Sequence, residues 1–327
     1  MMNRRYAGAS VGFAVVIGSM FVVPGDALAQ QYPTKPVRMV IGFPPGGAAD
    51  ILGRIIGRKL YDAWGQQVVI DNRPGAGATL GAEITAKALP DGYTILMVSS
   101  SHAASAGLYS KLNYDPVDSF SPISLVAAAP QVLLAHPSVS AKSLDELLAL
   151  AKASPNKFNY GSAGNGSTTH LAGELLCSMT GVKMTHVPYK GGPPALTDTI
   201  AGQIQLMFLS MPPALPHVKA GKVKAIAVTS PKRSASLPDV QAAAETVPGY
   251  EATNWYALLA PAGVPKPIVD KLYADVLKAM KDQEVMKAIS NEGAEPLGSS
   301  PDEFSKYLRS EITKWTKVIK EAGVRAQ

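Results

Sequence analysis

The sequence predicts an α/β protein of two lobes with mainly parallel sheets, and three observations carry that prediction. Short apolar, β-branched runs alternate with segments of helical period. The connecting loops are rich in Gly, Ser and Thr just where a helix begins. Once an N-terminal leader is set aside, roughly 300 residues remain, more than the roughly 100–200 of a typical single domain.

The leader comes first. Arg4 and Arg5 give a positive start, Val11 to Val23 form a charge-free, mostly apolar core, and Ala27-Leu28-Ala29 supplies a small-x-small cleavage site. Residues 1–29 therefore read as a secretory signal peptide cut after Ala29. Its core is shorter than the roughly 20 residues of a membrane span, and no later segment qualifies. No Cys stands at the new N-terminus to take a lipid, so the mature chain is expected in an envelope compartment such as a periplasm. The single cysteine, Cys177, leaves the fold to rest on its apolar core. The formal charge is +6, or +5 without Arg4, Arg5 and Asp26. That excess favours anionic ligands weakly, and it is spread without the Lys/Arg stripes of a nucleic-acid surface.

Strands are predicted at Val37–Ile41, Gln67–Ile70, Thr94–Val98, Met184–Val187, Ile204–Leu209 and Ala225–Thr229. The helix Ala49–Trp64 gathers Ile51, Leu52, Ile55, Ile56 and Leu60 on one face, and Gly65 ends it. Ser143 with Glu146 and Ser300 with Glu303 mark capping boxes, the second with Pro301 at the first helical position. The last helix, Pro301 to about Glu321, is expected to pack across the first lobe. Two adjacent apolar runs, Ile123–Ala129 and Gln131–Ala135, read as extended chain crossing between lobes, and Glu251–Ala260 as the return. Lobe one is thus expected at 30–130 plus 252–327, with 131–251 as lobe two.

Three strand-to-helix loops stand at the carboxyl edge of such sheets, where ligands bind. The first, Gly42 to Asp50, pairs stiffening prolines with Gly46 and Gly47, so backbone N–H groups at a helix start can approach an anion. It reads equally as a tight turn without a ligand. In the second, Gly161 to His170, hydroxyls such as Ser167 or Thr168 either cap a helix or bind a ligand oxygen. In the third, Val187 to Pro193, Tyr189 and Lys190 either line a site or pack and solvate. Ser100 and Ser101 after the third strand, and Ser210 in lobe two, add hydroxyls. Asp50 has two open roles, binding an amine or stabilising its helix start, and the helix role ranks first.

Read in order, several motifs resemble one family. They are Tyr32-Pro33-x-Lys35-Pro36-Val37-Arg38 leading into Phe43-Pro44-Pro45-Gly46-Gly47 with Asp50, the Asn72–Gly77 run and Pro90-Asp91-Gly92-Tyr93-Thr94. The Asn159-Tyr160-Gly161-Ser162 loop, Val187-Pro188-Tyr189-Lys190-Gly191, and Trp255 before Pro261-Ala262-Gly263 complete the set. Over almost all of the mature chain it is similar to the substrate-binding proteins of tripartite tricarboxylate transporters, the Bug or TctC family. The resemblance implies a type II periplasmic-binding fold, in which two lobes close on a small carboxylate in the cleft between them. It places the grip, partly through ordered water, at Phe43, Gly46, Gly47, Ala48 and Asp50, and at Ser162, Gly164, Ser167, Thr168 and Thr169. Tyr189 and Lys190 match its third motif. It further implies a monomer that uses no cofactor and works with membrane permease subunits. The ligand stays open among di- and tricarboxylates, acidic amino acids and aromatic acids.

Enzyme chemistry finds little foothold. The chain has no G-x-S-x-G elbow and no phosphate loop. His102, His136, His170, His186 and His217 form no metal-ligand motif. After Gly75-Ala76-Gly77 the third glycine, Gly81, falls one residue late for a dinucleotide loop. An exported serine hydrolase using Ser101 with His102 is one alternative reading. A receptor that presents its closed form to a sensor is another.

Overall fold

In this computed structural model the described residues are 32–324, so the expected signal peptide lies outside them. The chain begins β1 (Val37–Ile41), α1 (Ala48–Trp64), β2 (Val68–Asn72), α2 (Thr79–Ala86), β3 (Thr94–Ser99) and α3 (Ser101–Leu108). Leu52, Ile56 and Leu60 bury one face of α1. The helix stops where Gly65, at φ 62°, turns left-handed and donates its N–H to the Tyr61 carbonyl. β4 (Phe120–Ala129) and β5 (Gln131–Ala135) follow, then α4 (Leu144–Ala153), β6 (Asn159–Ser162), α5 (Thr168–Thr180) and β7 (Thr185–Pro188). Next come α6 (Gly192–Ile200), β8 (Leu206–Ser210), α7 (Met211–Lys219), β9 (Lys224–Val228) and α8 (Ala243–Thr246). The chain closes with β10 (Asn254–Pro261), α9 (Lys266–Met280), α10 (Gln283–Asn291), β11 (Glu295–Pro296) and α11 (Pro301–Ala322).

The strands form two sheets, ordered β11-β4-β10-β3-β1-β2 and β7-β6-β8-β5-β9. Each is covered on both faces. In the first, Val37, Met39 and Ile41 point to a core shared with α1 and α9, while Val40, Leu96 and Val98 meet Phe304 and Trp315 of α11. In the second, Leu133 and Phe208 pack with α4 and α5, and Val132, Leu134 and Met207 with α6 and α7. α11 does lie against the first sheet's elements, contacting α3 and β4. Its Glu311 accepts the indole N–H groups of Trp255 at 2.9 Å and Trp315 at 3.0 Å.

The expectation of mainly parallel sheets needs correcting. Among the named strand pairings four are parallel and five antiparallel. The reason is the crossings, because β4, β5 and β10 each join a sheet running against its neighbours. Asn159–Ser162, read as loop, is strand β6, paired with both β7 and β8. The Ser143 box is also half made. Ser143 Oγ accepts the Glu146 N–H at 3.2 Å, but the Glu146 carboxylate takes the N–H of Lys142 instead of Ser143.

Only Pro130 separates β4 in one sheet from β5 in the other. The return path runs alongside. The Thr229 N–H donates to the Gln131 carbonyl at 2.9 Å, the Ala252 N–H to the Thr229 carbonyl at 3.0 Å, and the Gln131 amide to the Ala252 carbonyl at 3.2 Å. These bonds lie where the chain changes sheets.

Two histidines, His102 buried and His186 half-buried, tie stability to pH. His102 sits among Tyr114, Phe120 and the Pro116 carbonyl, and burial pushes its pKa down to about 4. His186 stacks on His170 at 3.8 Å between ring centres, and burial together with that neighbour pushes it to about 3. Both folded values lie below the ordinary value near 6.5. Their contribution is therefore fully present above about pH 6.5 and is lost as pH falls toward 4, by at most about 1.4 kcal/mol per unit for each group. Thermal melting should show a falling midpoint between pH 7 and pH 5, and a flat profile would contradict this.

Candidate functional site

The carboxyl ends of β1, β6, β7 and β8 turn toward one another, and α1, α5, α6 and α7 begin there. They line a pocket of about 440 Å³, part of it open to solvent. Elements of both sheets line it: Phe43, Gly47, Ala48 and Ala49 on one side, and Ser167 to Thr169, Gly192 and Ser210 on the other. A wider outer cleft of about 1070 Å³ adjoins it through the shared residues Phe43, Pro44 and Ala163.

The four helix starts are not equivalent. α6 and α7 carry prolines in their first turn, which have no N–H, and the Met211 N–H is committed to the Pro130 carbonyl at 2.9 Å. In α5, Ser167 is the N-cap. Its Oγ accepts the His170 N–H at 3.3 Å and donates to the Gly164 carbonyl at 2.7 Å. α1 differs, because its N-cap Gly47 has no side chain to fold back and its ladder starts only with Ile51 N–H to Gly47 O at 3.0 Å. The amides of Ala48 and Ala49 therefore face the cavity end of the helix, where its dipole is positive.

Asp50 sets this loop. One carboxylate oxygen accepts the Gly46 N–H at 3.0 Å and Arg54 Nε at 2.9 Å, and the other accepts Asn72 Nδ2 at 3.0 Å. Burial alone pushes its pKa up. The bonds from Arg54, Gly46 and Asn72 together outweigh that and hold it below the usual carboxylate range. Asn72 also donates to the Phe43 carbonyl at 2.9 Å, so the two residues brace the turn from behind.

The cavity floor is a closed polar network. Asn254 accepts from the Ser100 N–H at 3.2 Å and from the Ser100 hydroxyl, and donates to Ser210 Oγ at 3.2 Å and to the Tyr256 hydroxyl at 2.8 Å. Tyr256 donates in turn to Ser210 Oγ at 3.0 Å. Burial raises the Tyr256 pKa far above its ordinary value, so the phenol keeps its proton and remains a donor. Ser210 thus accepts twice, which leaves its own O–H to point into the cavity. Ser210→Ala should weaken carboxylate binding about tenfold and also lower the melting temperature, because it strands the Asn254 amide and the Tyr256 phenol. Unchanged affinity in calorimetry would contradict that orientation.

Of the residues expected from the sequence, Phe43, Gly47, Ala48, Ser167, Thr168, Thr169 and Ser210 line the inner cavity. Gly164, Tyr189 and Lys190 line the outer cleft, with the Tyr189 hydroxyl donating to Asp198 at 2.8 Å. Gly46, Asp50, Ser100 and Ser162 lie one layer behind. Ser162 Oγ bonds His186 Nε2 at 2.6 Å and accepts the Gly164 N–H at 3.1 Å. Ser101 joins the halves, its Oγ accepting the Thr168 N–H at 3.3 Å. His102 turns its Nε2 to the Pro116 carbonyl at 2.8 Å and makes no dyad with Ser101. Sequence reading missed Asn254 and Tyr256. A polar Asn inside the apolar run of the return crossing was the available signal.

Residues 52–324 match the model of the tripartite tricarboxylate transporter family receptor. The fold is similar to the periplasmic binding protein BugD, at TM-score 0.87 and 34% identity over 90% of this chain and 100% of that one. It is similar to R. palustris Rpa4515 with adipate, at 0.87 and 36% over 90% and 99%. It is also similar to MatC from Rhodopseudomonas palustris with bound malate, at 0.84 and 33% over 88% and 100%.

Proposed function

This chain belongs to the tripartite tricarboxylate transporter receptor family, and from that premise we propose that it captures a small organic carboxylate reversibly and hands it to membrane permease subunits. One observation carries the reading: helix starts from both sheets converge on one cavity, whose lining holds no charged side chain among the described residues. Oriented amides and hydroxyls can solvate a carboxylate there, at a positive helix end, without a fixed counter-ion. The halves 30–130 with 252–327, and 131–251, act as the two lobes, swinging about Pro130 and the return near Ala252. The protein works as a periplasmic monomer. BugD is a periplasmic binding protein, and adipate and malate, bound in the two other neighbours, are both dicarboxylates, which supports the ligand class.

No bond is made or broken in this cycle. Closure trades water around the carboxylate for the Ala48 and Ala49 amides, the Ser210 hydroxyl and the hydroxyl side of α5. Calorimetry against a panel of organic acids, with solution scattering on the same samples, tests it. Saturable binding of an acid with ligand-dependent compaction is expected. Turnover of a chromogenic ester with no acid bound would favour a hydrolase instead.

A further inference from the structure

We propose that His170 is a positioning residue for ligand capture, whose neutral ring holds the loop at the start of α5 against the first half, so that a proton taken up by that ring loosens the loop and releases the ligand. The inference rests on the carboxylate reading above and adds a proton-linked control to it.

The loop 164–167 presses on the first half. At Gly166 φ is 74° and a Cβ would overlap Leu108 of α3, while beside it the Thr168 N–H reaches Ser101 Oγ at 3.3 Å. Two imidazoles brace this loop from behind. His170 Nδ1 accepts the Gly166 N–H at 3.1 Å, and His186, stacked on it, bonds Ser162 Oγ, which in turn accepts the Gly164 N–H. The loop's own hydroxyls are engaged elsewhere, Ser167 with the Gly164 carbonyl and Thr169 with the Ala163 N–H, so His170 is the acceptor that keeps Gly166 in place.

A ring nitrogen accepts a backbone N–H only while it carries no proton, so this bond fixes the neutral tautomer, with its hydrogen on Nε2 toward Glu174 Oε1 at 3.6 Å. Protonation turns Nδ1 into a second donor aimed at the Gly166 N–H and breaks the bond. Glu174 balances the new charge. It is held below the usual carboxylate range, chiefly by His170 and also by Tyr160, and stays ionised. The cost of the proton therefore falls on Gly166. The ionisable groups that face the ring are Glu174 on its own helix, His186 on β7 and, through Glu174, Tyr160 on β6 and Cys177 further along α5. β8 and α11 also pack on α5 and bring apolar side chains there, Phe208 from one and Trp315 from the other. His186 is pushed down to about 3, by burial first and then by His170, and stays neutral near neutral pH. Ligand and proton thus oppose each other: affinity is full where the His170 ring is neutral and falls as pH falls.

The test is calorimetry between about pH 8 and about pH 5.5 on the full-length mature protein and its His170→Asn and His170→Leu variants. The probe is whichever of malate, adipate, citrate, glutamate and benzoate binds the wild type most tightly. Asparagine offers an Oδ1 where the ring offers Nδ1 and takes up no proton, whereas leucine offers no acceptor. At the alkaline end His170→Leu should bind about tenfold more weakly than wild type, and His170→Asn should recover most of that loss. Toward the acid end the wild type should lose about tenfold relative to His170→Asn, the titration of the probe itself being common to both. Parallel pH profiles for these two proteins, or His170→Asn as weak as His170→Leu at the alkaline end, overturns the proposal and leaves the carboxylate reading standing. If His170→Leu fails to fold, the two pH profiles decide alone. Failure of every acid to bind the wild type overturns both.

Discussion

Replacing Gly191 by alanine is expected to cut ligand affinity by about two orders of magnitude while the ligand-free protein still folds. Gly191 precedes α6 in the second half of the molecule, at φ 120° and ψ 168°, a region open essentially to glycine alone. A Cβ there would lie 2.6 Å from Cδ of Pro44, in the opposite loop, and closer still to its Cγ. The proline ring cannot swing aside as a flexible side chain could. The clash therefore falls on the approach of the two halves. Backbone strain alone costs about 1–3 kcal/mol in either state. Gly181→Ala is the matched control. It too has positive φ, at 70°, but nothing lies within 4 Å of the new Cβ, so it should cost about 1 kcal/mol of stability and no affinity. Wild-type binding by Gly191→Ala would show that closure does not pass through this contact.

Asp50→Ala should be the most damaging change behind the first loop. It strands the Gly46 N–H and one N–H of the Asn72 amide and removes the Arg54 pair, so a loss of about 2–4 kcal/mol is expected, with affinity falling at least tenfold as the start of α1 shifts. Arg54 is half exposed and can return to water, which keeps the estimate below that for a fully buried pair. Asp50→Asn should fall between, since one oxygen still accepts. If Asp50 instead held a ligand amine, both variants would change ligand preference and leave the chemical-denaturation midpoint unmoved.

These effects separate what was readable in the chain from what was not. The first loop and α1 were legible because local chemistry sets them: apolar spacing from Leu52 to Leu60, a glycine stop, and a Pro–Gly turn. The crossings at Pro130 and near Ala252 showed as breaks in alternation. Strand direction was not legible, since nothing local in β5 or β10 records which way its neighbours run. β6 was hidden because its four residues, Asn159–Ser162, look like a turn. Only packing explains its Gly161, where a Cβ would stand 2.5 Å from Cδ1 of Ile204. Ser167 shows how one residue type can serve either purpose. It was read as cap or contact, and although it borders the cavity, its hydroxyl is spent on His170, Gly164 and Thr169. Its loss should therefore lower stability as well as binding. The floor of Asn254, Tyr256 and Ser100 depends on residues 154 apart in sequence, beyond the reach of any local pattern.

The most direct test of the central claim is a crystal structure with a saturating dicarboxylate. One carboxylate should lie about 2.7–3.2 Å from the Ala48 or Ala49 amide and from the Ser210 hydroxyl, bridged to the α5 side directly or through water. A carboxylate seated elsewhere, or helix starts still facing bulk water with the ligand bound, would contradict the account.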